Sequence, residues 1–442
     1  MRNYFLLFFL CIGSISGSFA DEAAQRLYSD HQSSIYRIEV IKPGMEKKAS
    51  LGTGFLIGRG DVLASNFHVI SSAVHEPDRY KLEWVNVDGE RGPLEVLAVD
   101  VVHDLSLLKA GRKLGMPLAT TTLPDKGTEL YSLGHPLALD LSIVSGTMNG
   151  LLEKSIYEKI HFSGSVNPGM SGGPTLDAEG RVVGVNVASA GNSVGFLVPV
   201  FYLDALLQKT LNKINFNEMN DELVNEEDLA EPSMTSIKEK VKKMFVAEIG
   251  EQLIANQEAL ISEMLANEWP LQVVGKFQVP GEISNRLDCW AEEQPEKNKA
   301  KYRQIASNCN GQDSIFLSQR QRAGTIDYQY FWFDTKSLST LAFYNLYQQS
   351  HSSRFMGGAD ETDVGNFTCS TKFITISSQD FKVNVCARPY LRYPELTDFM
   401  VLMAMVGHDK EGFMFTLDLS TVTLENGMRL FERFLEQFTW ID

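Results

Sequence analysis

A serine set among small residues is the feature of this sequence with the clearest chemical meaning. Ser171 lies in the segment Gly169–Pro174, whose glycines allow the backbone to turn so that its amide groups converge beside the serine oxygen. The same small residues leave room for a substrate carbonyl. Ser171 is therefore a candidate nucleophile.

A serine hydroxyl is a weak nucleophile and requires a base within hydrogen-bond reach, which is itself oriented by a third group. The chain supplies both upstream, as His68 and Asp104, each just past an apolar run where the loops of a barrel would lie. Three roles in this order favour catalysis over a purely structural glycine turn, the alternative for the serine motif alone. An α/β-hydrolase elbow is a second alternative, but it requires a helix after Pro174, where the sequence predicts a turn and a strand.

The elements that must position these side chains are short strands. Between residues 34 and 207, β-type runs are separated by Gly, Pro, Asn and Asp, which is typical of an all-β barrel or sandwich. A closing helix is expected at Phe201–Leu211. The predicted strands are Ser34–Ile41, Leu51–Ile57, Tyr80–Val87, Leu94–Ala98, Leu105–Lys109, Glu129–Leu133, Leu141–Met148, Lys159–Ser163, Val182–Val187 and Gly195–Val200.

The composition changes after this region. Glu218–Glu231 contains seven acids and no base, which resist burial and predict a solvated linker. Met234–Glu268 has an imperfect apolar stripe, typical of a helix that packs on its own domain, with recruitment of a partner helix as the alternative. Strand-like and helical runs follow and predict an α+β second domain. Its aromatic run Tyr328–Phe333 is interpreted as a buried strand, with a binding platform as the alternative.

The N-terminus has the pattern of a cleaved secretory signal. Arg2 precedes the apolar run Tyr4–Ile12, and the small-residue exit Ser18–Ala20 follows it. An uncleaved anchor is the alternative, although the apolar centre is short for spanning a membrane.

The cysteines indicate disulfides. Four of the five remain after removal of the signal, and an even number in an exported protein predicts pairing. The sequence-local pairs, Cys289 with Cys309 and Cys369 with Cys386, are favoured because each closes a modest loop. Free buried thiols are the alternative. No Cys-x-x-Cys or paired-His spacing supports a metal site.

Charge and hydropathy exclude several classes of protein. A total of 40 Lys and Arg against 56 Asp and Glu gives a net charge of −16, which argues against a nucleic-acid binder. The longest apolar runs, Tyr4–Ile12 and Phe399–Val406, are shorter than the ~20 residues that a membrane-spanning helix needs. No transmembrane segment is therefore expected in the mature chain.

Five motifs in the order His, Asp, Ser resemble the trypsin-type serine peptidases of the HtrA/DegP branch. The resemblance covers about residues 34–207 and implies a chymotrypsin-like double β-barrel with the site in the cleft between the barrels. The motifs are Gly52–Ile57, Ala64–Val69, Asp104–Lys109, Tyr131–Pro136 and Asn167–Pro174.

The resemblance also implies a role for each site residue. Ser171 would attack the peptide carbonyl, His68 would take and return the proton, and Asp104 would orient the imidazole and stabilise its charged form. The backbone amides of Gly169 and Ser171 would form the oxyanion hole.

The chain departs from the family pattern in two respects. Met170 stands where digestive members carry an aspartate that pairs with a newly cut N-terminus, so activation by N-terminal insertion is not expected. The family's PDZ modules have no recognisable counterpart beyond Glu231.

The substrate pocket is expected to be uncharged. Ser165 stands where related trypsins carry an acid that binds Arg or Lys, and Val166, Val187 and Ala188 are the other candidate lining residues. Such a pocket favours apolar or small side chains, because a buried cation would lack compensation.

Together these inferences predict an exported serine endopeptidase, periplasmic or secreted, which hydrolyses protein substrates through an acyl-enzyme without metal or organic cofactor. The expected organisation is a signal peptide at 1–20, an all-β double-barrel peptidase domain at 21–212, an acidic linker at 213–233 and a disulfide-bearing α+β domain at 234–442. The C-terminal domain is a candidate site for a partner protein, and no nucleic-acid partner is expected. The alternative function is a catalytically idle peptidase scaffold that acts as a binding protein or chaperone.

Overall fold

Two closed antiparallel barrels and a large C-terminal sheet make up the fold. The structure, a computed structural model, describes residues 19–44, 47–189, 194–221, 234–296, 301–311, 313–352 and 362–441. Residues 1–18, which include most of the predicted signal peptide, lie outside this set.

The first barrel has the strand order β1-β2-β3-β6-β5-β4 and closes where β1 pairs with β4. Alternation places Ile38 and Val40 of β1 in its core. Helix α2 leaves the barrel directly after β3. The elements are α1 (Phe19–His31), β1 (Ile35–Lys42), β2 (Lys47–Ile57), β3 (Val62–Ser65), α2 (Phe67–His75), β4 (Lys81–Val85), β5 (Arg91–Asp100) and β6 (Leu105–Ala110).

The second barrel has the order β10-β11-β12-β9-β8-β7 and closes where β10 pairs with β7. Two closed barrels in succession confirm the predicted double-barrel class. Helix α3 continues through Asp221, and so extends into the segment 213–233 that is expected to be a linker; residues 222–233 lie outside the described ranges. The elements are β7 (Glu129–Gly134), β8 (Ser142–Leu151), β9 (Ile160–Phe162), β10 (Pro174–Leu176), β11 (Val182–Ser189), β12 (Gly195–Pro199) and α3 (Val200–Asp221).

The C-terminal domain is a seven-stranded antiparallel sheet of order β15-β16-β19-β23-β22-β21-β20 with helices on both faces. The strands β13, β14 and β24 form a second small sheet, and β17 and β18 form a hairpin. The elements are α4 (Met234–Ala266), β13 (Leu271–Val274), β14 (Phe277–Pro280), β15 (Asp288–Gln294), β16 (Arg303–Asn310), β17 (Ile315–Phe316), β18 (Arg322–Ala323), β19 (Ile326–Asp334), α5 (Thr340–Ser352), β20 (Thr368–Ile376), β21 (Gln379–Pro389), β22 (Thr397–Met405), β23 (Glu411–Val422), α6 (Leu424–Glu436) and β24 (Thr439–Trp440).

Aromatic residues of β19 supply both cores of this sheet. Tyr328 packs on Phe434 of α6 on one face, with ring centroids 5.0 Å apart, and Phe333 packs on Tyr347 of α5 on the other face, at 5.8 Å. All of Tyr328 and Tyr330–Phe333 are buried. The aromatic run is therefore core, as the sequence favours, and not an exposed platform.

Both disulfides lie at sheet edges. Cys289 on β15 is directly opposite Cys309 on β16, and Cys369 on β20 is directly opposite Cys386 on β21. The structure thus has the two sequence-local pairs, with Cα atoms 4.1 Å and 4.0 Å apart.

Helix α4 packs between the two domains. Its Gln252 side chain accepts from the Val101 N–H at 2.8 Å and donates to the Val99 carbonyl at 2.9 Å, at the end of β5. The apolar core of the first barrel is continuous with that of the C-terminal sheet. Among the described helices, none combines the length and the apolar character that crossing a bilayer requires.

Candidate active site

His68 lies in the first turn of α2, at the rim of the first barrel. The chain leaves β3 at Ser65 and turns into the helix at Phe67, and both residues are buried. The Asn66 side-chain amide donates to the Asp104 carbonyl at 2.8 Å, and the Phe67 N–H donates to the same carbonyl at 3.2 Å. These bonds fix the helix start to the turn that carries Asp104.

Asp104 holds the imidazole of His68. It lies in the turn between β5 and β6 with φ of 57°, a left-handed conformation that costs about 1 kcal/mol and that Asp tolerates better than most residues. One carboxylate oxygen accepts from His68 Nδ1 at 2.6 Å, and the other accepts from the His68 N–H at 2.8 Å. Because Nδ1 is the donor in this pair, Nε2 of the neutral ring is left as a proton acceptor.

Ser171 follows the glycine turn on the rim of the second barrel. Its hydroxyl donates to the Val187 carbonyl at 2.9 Å. Within the described ranges no hydrogen bond joins Ser171 to His68. The candidate base is therefore paired with Asp104, while the hydroxyl of the candidate nucleophile is bonded to the neighbouring strand β11.

Two glycines of the turn are required by its geometry. Gly169 has φ of 97°, and a Cβ atom there would lie 2.3 Å from the His135 carbonyl oxygen. Gly172 has φ of 84°, and its Cβ would lie 2.3 Å from the Thr53 carbonyl oxygen. Both positions combine a left-handed backbone with a close approach, so only glycine fits without strain.

Two backbone N–H groups of the glycine turn, those of Gly169 and Ser171, are candidates for binding an oxyanion. The Pro168 carbonyl accepts from the Leu137 N–H at 2.7 Å. In a trans peptide the carbonyl and the N–H point in opposite directions, so the Gly169 N–H points away from Leu137. In the described part of the chain neither the Gly169 N–H nor the Ser171 N–H donates a hydrogen bond. Both donors are available to a developing negative charge.

Met170 anchors the turn by apolar packing. Its side chain is completely buried in the core of the second barrel, among residues that include Phe162 and Leu197. The Gly134 backbone lies against it, since a Cβ on Gly134 would be 2.8 Å from the Met170 Cα. Burial of this side chain holds the turn where an aspartate would require a charged partner.

Asn186 fixes the backbone around the nucleophile and is not identified as a site residue by the sequence. It is completely buried on β11, and its amide donates to the Leu133 carbonyl at 3.0 Å and to the Met170 carbonyl at 3.3 Å. Its oxygen accepts from the hydroxyls of Ser132 and Thr175, at 2.8 Å and 2.7 Å. The sequence feature that could have identified Asn186 is its position as the single side-chain amide in the otherwise mostly apolar run Val182–Ser189.

Thr53 connects the two barrels at the site and is the second missed residue. Its N–H donates to the Ser171 carbonyl at 2.8 Å, and its hydroxyl donates to the Gly169 carbonyl at 2.8 Å. The same hydroxyl accepts from the His135 N–H at 3.0 Å. Burial, with a smaller contribution from Arg37, lowers the pKa of His135 to about 4, so this ring is neutral at physiological pH.

The four predicted pocket residues differ in their exposure. Val166 packs in the core of the second barrel, and its place in the wall of a substrate pocket stays a prediction. The Val187 side chain is also buried, and its carbonyl is the acceptor for Ser171. Ser165 is half-buried, and the side chain of Ala188 lies outside the described set. Within the described ranges no group of three or more His, Cys, Asp or Glu side chains is placed to hold a metal ion.

Comparison with known proteins agrees with this geometry. Residues 52–185 match the trypsin-like peptidase domain family. The protein HhoA of Synechocystis sp., which is named as a serine protease, is 30 % identical over 186 residues, which are 39 % of this chain and 45 % of HhoA. A DegP-like periplasmic serine endoprotease of Chlamydia muridarum is 26 % identical over 172 residues, which are 37 % of this chain and 33 % of that protein.

A mitochondrial serine protease HTRA2 of Drosophila erecta is 26 % identical over 38 % of this chain and 42 % of its own length. The solved structure of Deg5 is 26 % identical and aligns with 43 % of this chain and 94 % of its own, with a TM-score of 0.37. The chain thus spans less than half the length of these curated relatives. The two barrels, with their His, Asp and Ser motifs, are thus similar in sequence to trypsin-like serine peptidases of the HtrA type.

Proposed function

We propose that this chain is an exported serine endopeptidase that hydrolyses protein substrates through a Ser171–His68–Asp104 triad. The observation that carries the proposal is the buried His68–Asp104 pair, in which Nδ1 lies 2.6 Å from the carboxylate oxygen. The serine stands across the cleft in a glycine turn, where the N–H groups of Gly169 and Ser171 donate no hydrogen bond.

The chemistry follows from the groups present. After rotation of its side chain away from Val187, Ser171 Oγ attacks the scissile carbonyl carbon while its proton moves to His68 Nε2. The oxyanion is stabilised by the N–H groups of Gly169 and Ser171. The C–N bond then breaks, and His68 returns the proton to the leaving amine. Water, deprotonated by His68, hydrolyses the acyl-enzyme and regenerates the serine.

Two observations support an envelope location. The N-terminal residues have the pattern of a secretory signal, and two disulfides are typical of a protein that matures in an oxidising compartment. One relative is named as a periplasmic enzyme.

The test is covalent labelling of the full-length protein with a serine-reactive fluorophosphonate. We expect the label on Ser171 and none on Ser171→Ala, because only an activated serine reacts. Ser370→Ala, which changes an exposed serine on β20, is the matched control and should label like the wild type. Absence of labelling from the wild type and from the activated variants described below would contradict the proposal and favour an idle scaffold.

A further inference from the structure

A small hairpin of the C-terminal domain lies at the cleft between the barrels. Its strands β17 and β18 form a two-stranded sheet of their own, with Phe316 opposite Arg322. The connecting turn is closed by the Leu317 N–H, which donates to the Gln321 carbonyl at 3.0 Å. We refer to residues 313–324 as the hairpin segment.

The first stem of the hairpin segment is bound to the second barrel. The Asp313 carboxylate, whose side chain is 7 % exposed, accepts from the backbone N–H groups of Ile156 and Tyr157, both at 3.1 Å. It also accepts from the Ser155 hydroxyl and lies 4.0 Å from Lys159 Nζ. A buried carboxylate with this many donors is a specific attachment and not a chance surface contact.

The second stem is bound to the same stretch of the second barrel. The Tyr157 hydroxyl donates to the Gly324 carbonyl at 3.0 Å and accepts from the Asn256 amide of α4 at 3.2 Å. Gly324 has φ of 67°, and a Cβ there would lie 2.2 Å from the Tyr157 hydroxyl oxygen. Both stems are therefore attached to the connection between β8 and β9.

The middle of the hairpin segment covers the catalytic imidazole. The Phe316 ring stacks on the His68 ring, with centroids 4.8 Å apart and planes at 27°. The Arg322 guanidinium lies over the Phe316 ring, 3.3 Å from its centroid. Phe316 is 6 % exposed and packs in the same apolar cluster as residues of both barrels, so it is inserted into the peptidase domain.

The turn of the hairpin segment reaches the first barrel. The Gln319 amide donates to the Ser50 hydroxyl at 2.5 Å, and that hydroxyl donates to the Val69 carbonyl at 2.8 Å. Ser50 is on β2, the strand whose Thr53 N–H donates to the Ser171 carbonyl. The hairpin segment thus contacts the second barrel at its stems, His68 at its middle and the first barrel at its turn.

We propose that the hairpin segment is an intramolecular inhibitor that holds the peptidase in a resting state until it is displaced. This inference rests on the proposed serine peptidase function. A substrate must lie along the cleft beside His68, and the hairpin segment occupies that position from one barrel rim to the other. The donation of the Ser171 hydroxyl to Val187, and not to His68, is consistent with a resting arrangement.

The experiment compares labelling rates of Ser171 in full-length variants with the same fluorophosphonate. Phe316→Ala removes the ring that stacks on His68 and should increase the labelling rate constant about tenfold or more. The resting state, in which the hairpin segment covers His68, then loses both the stacked pair and the cation–π contact. Asp313→Asn, which is remote from the cleft, keeps the side-chain size but removes the charge that anchors the stem. Asp313→Asn should also increase the labelling rate.

Phe373→Ala is the matched control, because this phenylalanine is 71 % exposed on the edge strand β20, and its rate should equal that of the wild type. If Phe316→Ala does not fold, Phe316→Leu keeps the apolar bulk and removes the stacked ring. If the wild type is labelled at a rate equal to or above that of the hairpin variants, the proposal that the hairpin segment is an inhibitor is overturned. The proposed peptidase function is then unaffected. Absence of labelling in every variant would contradict the peptidase function, and the inhibitor with it.

Discussion

The two sides of the cleft are held by different chemistry. On the first barrel a carboxylate, Asp104, binds the backbone and the ring of His68 in one buried pair. On the second barrel a neutral amide, Asn186, satisfies two carbonyls and two hydroxyls around the serine turn. The carboxylate fixes the orientation of the imidazole that is the proposed base, whereas the amide fixes the backbone that carries the proposed nucleophile. Replacing the carboxylate by an amide on the first barrel should therefore reduce activity, whereas replacing the amide by a carboxylate on the second barrel should reduce stability.

The largest effect is expected from Asp104→Asn. An amide can donate to His68 Nδ1, which places the proton on Nε2 and removes the acceptor that Ser171 needs, so kcat/KM should fall about 10⁴-fold, by analogy with known triads. The free energy of unfolding should change by only about 1 kcal/mol, because the hydrogen bonds are replaced rather than lost. Peptide hydrolysis and urea unfolding measure the two quantities. A large loss of stability together with the loss of activity would contradict this, because it would mean that Asp104 stabilises the fold to the same extent as Asn186.

The second effect is expected from Asn186→Asp. A carboxylate oxygen would face the carbonyls of Leu133 and Met170 in a site closed to water, so the free energy of unfolding should fall by roughly 3 to 5 kcal/mol. Urea unfolding at pH 7 measures the loss. Asn384→Asp is the control, because the Asn384 oxygen already accepts from Thr371 at the surface and keeps that role. Equal stability of the two variants would show that the amide network does not hold the serine turn.

The smallest effect concerns the far end of α2, where His75 Nε2 lies 3.0 Å from the Tyr393 hydroxyl of the C-terminal domain. Burial lowers the pKa of His75 to about 3, so the folded state keeps the ring neutral while the unfolded chain binds a proton below about pH 6.5. Stability from this group is present above pH 6.5 and is lost as the pH falls toward 3. His75→Gln should reduce the loss of unfolding free energy between pH 7 and pH 5 by about 2 kcal/mol.

Tyr393→Phe separates the titration of His75 from its hydrogen bond. The variant lacks the hydroxyl partner but keeps the imidazole, so its loss of unfolding free energy between pH 7 and pH 5 should match that of the wild type. Urea unfolding at the two pH values measures this loss. A variant His75→Gln with an unchanged pH dependence would show that other groups determine the acid sensitivity of this contact.

The barrels are confirmed because they depend on local patterns, and the three candidate triad positions are predicted from local patterns as well. Each predicted barrel strand overlaps a strand of the structure, and the triad residues stand in short motifs beside those strands. The strands β3 and β10 are missed because runs of four and three residues are too short to display an alternation. These two strands lead into His68 and out of the Ser171 turn, so the omission falls at the site itself.

The remaining features depend on contacts between distant parts of the chain. Asn186 acts through carbonyls of Leu133 and Met170, and nothing local distinguishes it from an ordinary polar residue in a strand. Phe316 belongs to a two-residue strand in a segment with no clear periodicity, and its partner His68 is nearly 250 positions earlier in the chain. Such a pair becomes visible only when the two domains are placed together.

The two disulfides have a consequence for how the protein coexists with unfolded polypeptide. They join β15 and β20, the outermost strands of the seven-stranded sheet, to their neighbours. An outermost strand presents unpaired backbone groups to which a foreign chain can add, and strand exchange begins when it peels away. Covalent attachment prevents that first step at both margins. The seven-stranded sheet can thereby resist the addition of a foreign strand at either margin.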